Sequence, residues 1–454
     1  MKDKKIQTAI LIVIFLLLIL PMTLKTGFTE KTFTSEETYL NLIQVNQIQQ
    51  EPLHKQITNN NPFHVLLKKI PLNDVGIAFI IPLITGILTI ILIFIILRKL
   101  NLSDNEIVLA LLLFSLTPIF LYKFTTLNPD NLAFPLLLLT IILYMKKTYT
   151  TSIPLILMTF INPILGIIFT IFLITELLLK KQNKTIKLTL LISIISLAIY
   201  FLTLDLFINI QRTILDNVLI ELGSMNGYSI PLIILSAIGL FAWWEKGKER
   251  TIITTSLTTG LIISLFIPEI RLIFALALAI FAGIGMNQLL TMEWELKKIK
   301  QIAILLIFYI ILFSAIITIN TQLTQISKQE VEASKFLASI KTENQVLSTE
   351  NKGFMIQYLS QKQTFLDGNT QKNKQNEKID IANQIFYARK LSELQQLLNE
   401  NNIEYIFIHE KMKNGGTWIG REEGLQFFLQ HSEQFIKIFD NEQVQIYKYI
   451  EKQE

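Results

Sequence analysis

The apolar blocks of this chain are long enough to cross a bilayer, and they are unevenly spaced. A stretch of roughly Ile6 to Pro21 is followed by about 55 mostly polar residues, and then by some nine apolar segments running to Asn320. Blocks of about 16–20 apolar residues match a hydrocarbon layer about 30 Å thick. Residues 321–454 are rich in Gln, Asn, Lys and Glu and contain no such block. A first helix, one long loop, a hydrophobic bundle and a soluble tail form an unusual order for a channel or carrier. It suits an enzyme that works at the membrane face on a lipid-linked substrate.

Composition narrows the classes further. The sequence pI is near 9.0, yet only 17% of residues are charged and mean hydropathy is +0.46. The Lys and Arg residues cluster beside the apolar blocks, so topology accounts for them and no nucleic-acid partner is expected. There is no cysteine, which excludes a disulfide, a thiolate zinc site and a cysteine nucleophile. The four histidines, His54, His64, His409 and His431, lack metal-ligand spacing. No phosphate-cradling glycine loop and no Gly-x-Ser-x-Gly elbow is present. The first block has a basic start (Lys2, Lys4, Lys5) but ends Leu20-Pro21-Met22-Thr23, without small cleavage-site residues. It reads as an uncleaved anchor.

The basic clusters set the topology. They fall at Lys2/Lys4/Lys5, Arg98/Lys99, Lys146/Lys147, Lys180/Lys181, Lys246/Lys248/Arg250 and Lys297/Lys298/Lys300. If all face the cytoplasm, the segments between them cross in pairs. Segments near 76–97, 106–123, 131–145, 186–204, 229–244, 251–267, 271–290 and 301–320 each read as one crossing. The stretch 152–179 has both basic ends on one side, and Asn162-Pro163 interrupts it, because proline removes a helix donor and disfavours helix just before it. It reads as two short helices. The expectation is an α-helical polytopic membrane domain of about 11 transmembrane helices over 1–320, with a long first outer loop over 22–75. The N-terminus is then cytoplasmic, and residues 321–454 form an extracytoplasmic soluble α/β domain. High Ile, Lys and Asn point to an AT-rich prokaryotic genome and hence to a prokaryotic cell membrane.

The tail alternates in pattern. Glu330–Ile340 reads as helix, Gln345–Ser348 and Thr364–Asp367 as extended, Asp380–Asn399 as helix and Ile403–His409 as strand. Glu422–Gln430 reads as helix, and Phe435–Phe439 with Val444–Tyr449 as a hairpin around Asp440-Asn441. The segment Gly368–Lys378 reads as a mobile loop. Gly415-Gly416-Thr417-Trp418-Ile419-Gly420 reads as a loop lying against the membrane or the bundle.

Three constellations can carry chemistry. The first is Glu36-Glu37, which opens the long loop; Tyr39, Leu40, Leu42, Ile43 and Val45 follow with helical spacing. An amphipathic helix on the bilayer surface would hold these carboxylates at headgroup height, where one can serve as a general base. Adjacent glutamates in a polar loop are also an ordinary solvated surface. The second is Asp130 in Asn128-Pro129-Asp130-Asn131, a turn and helix cap by composition. The third is Glu269 and Arg271 in Pro268-Glu269-Ile270-Arg271, where two helices meet. Arginine offers a forked donor set for phosphate, although a cation at a bundle end can equally snorkel.

With these residues in place, the chain resembles the GT-C class of polytopic glycosyltransferases, in particular protein mannosyltransferase-like and archaeal members that use polyprenyl-phosphate sugars. Ser35-Glu36-Glu37-Thr38-Tyr39 resembles the family's Asp-Glu-x-Tyr stretch, and Asn61-Pro62-Phe63-His64 resembles the proline-containing end of the same loop. Two departures stand out: the usual aspartate is Glu36, and the histidine that follows the tyrosine is Leu40. The pair Trp243-Trp244 is similar to a signature of oligosaccharyltransferase catalytic subunits, but it falls at a cytoplasmic helix end rather than in the outer domain.

The resemblance implies transfer of a sugar from a polyprenyl-phosphate-linked donor to an acceptor hydroxyl on a lipid, glycan or protein. The transfer would invert the anomeric centre at the outer face of the lipid bilayer. Glu36 and Glu37 are the candidate catalytic acids. Tyr39, Asp130, Arg271, Glu269 and His64 are candidate substrate-binding residues, with Lys123 or Arg212 as further cations for the lipid phosphate. No cofactor is demanded, and a divalent cation is compatible with these residues. The rival readings are a transporter or flippase, which the scarcity of ionisable groups inside the apolar segments disfavours, and a noncatalytic membrane scaffold.

The charge pattern makes a direct prediction. Single cysteines introduced at Asn61 and Gly415 should both react with a membrane-impermeant maleimide on intact cells. Labelling of Gly415 only after permeabilisation would overturn the count of eleven crossings.

Overall fold

The computed structural model describes residues 32–48, 61–179, 184–203, 227–244, 250–341, 344–368, 370, 376–418 and 423–451, with the isolated positions 12, 16–19, 23 and 219. Most of the expected first helix, most of the expected outer loop over 205–228 including Arg212, and much of the Gly368–Lys378 segment lie outside the described residues. The chain divides into two compact units. One comprises Met1–Leu24 and Gln47–Leu323, and the other Lys25–Asn46 and Thr324–Glu454. The beginning of the long first loop therefore groups with the C-terminal residues.

The first unit is a bundle of apolar helices. In chain order its described helices are α2 (Pro62–Lys68), α3 (Asp74–Lys99), α4 (Asp104–Ser115), α5 (Pro118–Thr125), α6 (Asp130–Met145), α7 (Ser152–Ile161), α8 (Pro163–Leu179), α9 (Lys184–Thr203), α10 (Ile230–Trp244), α11 (Arg250–Phe266), α12 (Arg271–Thr291) and α13 (Lys297–Thr324). The number α1 belongs to Glu36–Gln47, in the other unit. Among the described residues, three helical segments are long and apolar enough to cross a membrane, and a bent pair makes a fourth if counted as one span. Five further apolar helices are shorter. The protein is a polytopic helical membrane protein with a soluble α/β portion at its C-terminal end.

The bent pair adds a break to one expected crossing. Residues 106–123 do not form a single rod; α4 and α5 meet at a 62° bend. Thr117 caps α5 by accepting from the Phe120 amide, and Pro118 occupies its first turn, where a missing N–H costs nothing. The hydroxyl of Thr117 donates in turn to Phe114 O at 2.7 Å. The predicted break at Asn162 is present: α7 ends at Ile161, α8 starts at Pro163, and the two helices pack on each other.

At the centre of the bundle α12 packs closely on α10 and α4. It turns Ala275, Ala279, Ala282, Gly283 and Gly285 inward. A Cβ added to Gly239 would lie 1.8 Å from Phe281 O, and one added to Gly285 would lie 2.2 Å from Leu235 O. Small residues let these backbones approach, as in membrane helix pairs generally.

In the second unit, α14 (Lys328–Ser339) packs on α15 (Gly353–Ser360). A four-stranded sheet has the order β1-β2-β4-β3, with β1 (Gln345–Leu347) parallel to β2 (Ile403–His409). The hairpin of β3 (Phe435–Asp440) and β4 (Val444–Tyr449) pairs antiparallel onto β2. Helices α16 (Asn376–Phe386), α17 (Leu391–Glu400) and α18 (Leu425–His431) complete it, around a core that includes Leu347, Ile385, Leu394, Ile406 and Leu425. A parallel β1–β2 pair requires a helical crossover, which α15 to α17 provide.

Three expectations for the tail are corrected here. Asp380–Asn399 is two helices, interrupted at residues 387–390. Thr364–Asp367 reduces to a single bridge between Val346 and Thr364. Trp418 lies inside the second unit's own core, donating its indole N–H to Phe386 O at 2.8 Å, rather than facing the membrane or the bundle. A large apolar ring with one satisfied polar atom gains more inside that core than on a loop surface.

The crossing of α10 and α12 should tolerate no side chain. Gly239→Val and Gly285→Val are each expected to cost at least the ~1–3 kcal/mol of a typical overpacking change, because the obstacle is backbone. Fluorescence-detected size exclusion should show loss of monodisperse protein for both. Leu202→Val, at an exposed position, should behave as wild type.

Candidate active site

The polar residues of the first unit gather at its helix breaks. Between α5 and α6 the turn Asn128–Asn131 is closed by its own amides. Asn128 Oδ1 accepts from the Asp130 N–H at 3.0 Å, and Asn131 Oδ1 accepts from the Asn128 N–H at 2.8 Å. The side-chain amides of Asn128 and Asn131 both donate to Lys123 O, at 2.8 and 2.7 Å. Asp130 makes no cap: the residue before α6 is Pro129, the Asp130 amide is taken by Asn128, and the Asp130 carboxylate points elsewhere. Its Oδ2 lies 2.8 Å from Lys123 Nζ, and its Oδ1 accepts from Asn162 Nδ2 at 2.8 Å.

Asn162 thus joins two breaks. Its Oδ1 accepts from the Ile164 and Leu165 amides and so starts α8, while its Nδ2 holds Asp130. Beside it, Asn61 Nδ2 donates to Ile161 O at 3.3 Å, and α2 packs against α7. The end of the first loop, with His64, is thereby brought next to the Asn162 break. His64 is buried, and burial pushes its imidazole down to about 4, so it is neutral at pH 7.

Arg271 opens α12 and is almost fully buried. Its Nε donates to Ser264 O at 3.1 Å and its Nη2 to Leu265 O at 3.3 Å, at the C-terminal end of α11. Tyr228 braces the same point, with its hydroxyl 2.8 Å from Ser264 Oγ. A cation on the last carbonyls of a helix is favourable on dipole grounds. The 3₁₀ turn Pro268–Ile270, which carries Glu269, packs against α8 as well as on its flanking helices.

In the second unit, α1 (Glu36–Gln47) begins with the paired glutamates and buries Tyr39, Leu42 and Val45. Glu36 Oε2 accepts from the Met355 N–H at 3.0 Å, so its carboxyl sits at the amino end of α15. Gly353 begins that helix because a Cβ there would meet Leu366 O at 2.4 Å. Tyr39 packs on Phe33 and Tyr358, with ring centroids 5.0 and 5.5 Å away, and its hydroxyl accepts from the Phe33 N–H. Lys352 forms a buried pair with Glu330 at 2.7 Å and donates to Gln325 O. Thr349 Oγ1 lies 2.9 Å from His409 Nε2.

Burial dominates the electrostatics of Glu36. It pushes the carboxyl up to about 8, against the pull of the Lys352 ammonium and the Met355 amide. Its Oε1 is buried and has no hydrogen-bond partner among the described residues. Burial likewise raises the Tyr39 phenol, so it stays protonated. Glu37 is half-buried beside Glu36, and its carbonyl accepts from Asn41 Nδ2.

Asp130, His64, Glu269 and Arg271 therefore belong to the first unit, and Glu36, Glu37 and Tyr39 to the second. Sequence reasoning missed Asn162 as a partner of Asp130, because it had already been spent on explaining a helix break. It also missed the Lys352–Glu330 pair. The capping box Ser327-x-x-Glu330, which fixes Glu330 at the start of α14, was visible as a pattern.

Comparison with solved structures places the fold. The apo oligosaccharyltransferase of Archaeoglobus fulgidus matches with a TM-score of 0.57 at 12% identity, covering 90% of this chain and 70% of that one. The same organism's enzyme with an inhibitory peptide and a dolichol-phosphate matches at 0.55 and 12%, covering 89% and 69%. Its complex with Zn and sulfate matches at 0.53 and 13%, covering 96% and 72%. The chain has the fold of the GT-C membrane glycosyltransferases. No family model matches it, and no curated protein matches it by sequence.

Within that GT-C fold, the described residues contain no group of three His, Asp or Glu side chains able to hold a metal ion. Asp130 has both carboxylate oxygens engaged by Lys123 and Asn162, which fits a divalent ion poorly. Trp243 is part of the bundle, its ring against Phe281 of α12.

The raised carboxyl of Glu36 links proton binding to stability. Its folded value of about 8 lies above the ordinary 4.5, so the folded state holds a proton that the unfolded state releases. Its contribution is fully present below about 4.5 and is lost as pH rises through about 8. Melting temperature should therefore fall between pH 6 and 9 in wild type. In Glu36→Gln, which keeps an oxygen for the Met355 amide, that fall should be shallower. An identical pH profile for the two proteins would show that Glu36 is not buried in this way.

Proposed function

We propose that this chain transfers a sugar from a polyprenyl-phosphate-linked donor to an acceptor hydroxyl at the outer membrane face, with inversion at the anomeric carbon. The observation that carries the reading is the environment of Glu36. This carboxyl opens the helix that follows the first spanning segment in sequence, and burial makes it a stronger base, when ionised, than a solvated glutamate. A base of that strength is matched to near-neutral proton transfer.

In the proposed reaction the acceptor O–H breaks as its oxygen forms a bond to the anomeric carbon. The proton passes to Glu36, or to Glu37 beside it. The bond from the anomeric carbon to the phosphate oxygen breaks, and the polyprenyl phosphate leaves with the electron pair. Tyr39 orients the acid pair through its packed ring. Arg271, held by the carbonyls of α11 at the amino end of α12, supplies positive charge for the leaving phosphate. Asp130, Glu269 and His64 contribute polar contacts to donor or acceptor. His64, neutral at pH 7, serves as a hydrogen-bonding group rather than a charge. The dolichol-phosphate held by the solved oligosaccharyltransferase is a ligand of the kind assumed for this chain's donor.

Because Glu36 acts only without its proton, transfer should increase as pH climbs toward 8 and level off above it. With a panel of polyprenyl-phosphate sugars as donors, Glu36→Gln should lower the transfer rate by about 10²–10⁴-fold, the usual cost of losing a general base. Glu37→Gln should have the larger effect only if Glu37 takes the proton. Full activity in both glutamine variants would end the base assignment and favour a binding scaffold.

A further inference from the structure

The disagreement between Asp130 and a divalent ion points to what occupies that place instead. Lys123 is fixed at both ends. Its backbone carbonyl accepts from the amides of Asn128 and Asn131, and its ammonium lies 2.8 Å from Asp130 Oδ2. The pair is well shielded, with the Lys123 and Asp130 side chains only 15% and 9% exposed. Asn162 Nδ2 closes the other carboxylate oxygen, Oδ1. Three asparagine side chains from two helix breaks thus hold one ammonium beside one carboxylate.

A divalent cation wants several hard oxygen ligands and loses its water reluctantly. At Asp130 it would meet a carboxylate already paired, beside a positive charge 2.8 Å away that is itself shielded from water. Two cations so close in a shielded setting repel strongly. We propose that Lys123 is the resident cation of this loop: its ammonium stands on Asp130 in place of a divalent ion, and the chain works without a metal there. Asn162 is the positioning residue that keeps Asp130 turned toward the lysine. Under the transferase reading, on which only this clause rests, the ammonium supplies the fixed positive charge near the donor phosphate.

The occupancy of Asp130 can be tested without any transfer assay. Full-length protein in nanodiscs would be titrated with Mn²⁺ and followed by electron paramagnetic resonance. Wild type and Asp130→Asn should bind Mn²⁺ alike, with no site that depends on Asp130. Lys123→Met removes the counter-charge but leaves a single carboxylate, so any Mn²⁺ binding it gains should be weak and should be lost again when it is combined with Asp130→Asn. A wild-type site weakened tenfold or more by Asp130→Asn would overturn the proposal. Should Lys123→Met fail to fold, Lys123→Gln replaces it, and the comparison of wild type with Asp130→Asn decides by itself. With an active donor in hand, transfer should be unchanged by EDTA. Loss in EDTA restored by Mn²⁺ counts against the resident ammonium, whereas transfer from no donor at all counts against the transferase reading and leaves the Mn²⁺ result standing.

Discussion

A buried helix end has no water to turn to, so each buried break in this bundle has to bring its own hydrogen-bond partners. The polar residues of the first unit are explained by that need before any other. Thr117 closes the bend between α4 and α5, Asn128 and Asn131 close the turn into α6, and Asn162 opens α8. Arg271 covers the last carbonyls of α11. The same side chains that satisfy the backbone then orient the ionisable groups: Asn162 holds Asp130, and the two asparagines of the turn hold Lys123 in place. Breaks are where a membrane protein can bury polar chemistry, because it has to bury polar partners there anyway.

Much of the architecture was legible because its causes are local. Apolar block length, the paired basic clusters and Asn162-Pro163 marked most helices within a few residues, and β2 was read at its observed bounds. The bend at Thr117 had a local signal in Ser115, Thr117 and Pro118, of the same kind as Asn162-Pro163, but the apolar length of 106–123 was read as one crossing without using it. Helix α15 was missed for a tertiary reason. Its eight residues hold too little pattern to identify, and its start depends on Gly353 passing close to Leu366 and Asp367. For the site, residue types were legible and partners were not. Nothing in the sequence says that Asp130 faces Lys123 and Asn162, because those contacts depend on how separate helices lie side by side.

Glu36 and Asp130 show two ways of keeping an acid out of water. Asp130 is given a full complement of partners and a counter-charge at 2.8 Å. Glu36 is given one amide and a more distant lysine, and burial wins, so it keeps its proton at neutral pH. The first arrangement fixes a charge in place. The second leaves a group poised to exchange one.

The bond between Glu36 and Met355 spans 319 residues of sequence. A ribosome making this chain releases α1 long before α15 exists, and the whole helical bundle is synthesised in between. Until then the aromatic face of Tyr39 and the carboxyl of Glu36 have no native partner from that helix. The second unit can therefore close only late in synthesis, and its folding rate is tied to the closure of a very long loop. For the cell, this makes α1 a ledge left open through most of translation, and a chain released before Met355 would carry it uncovered.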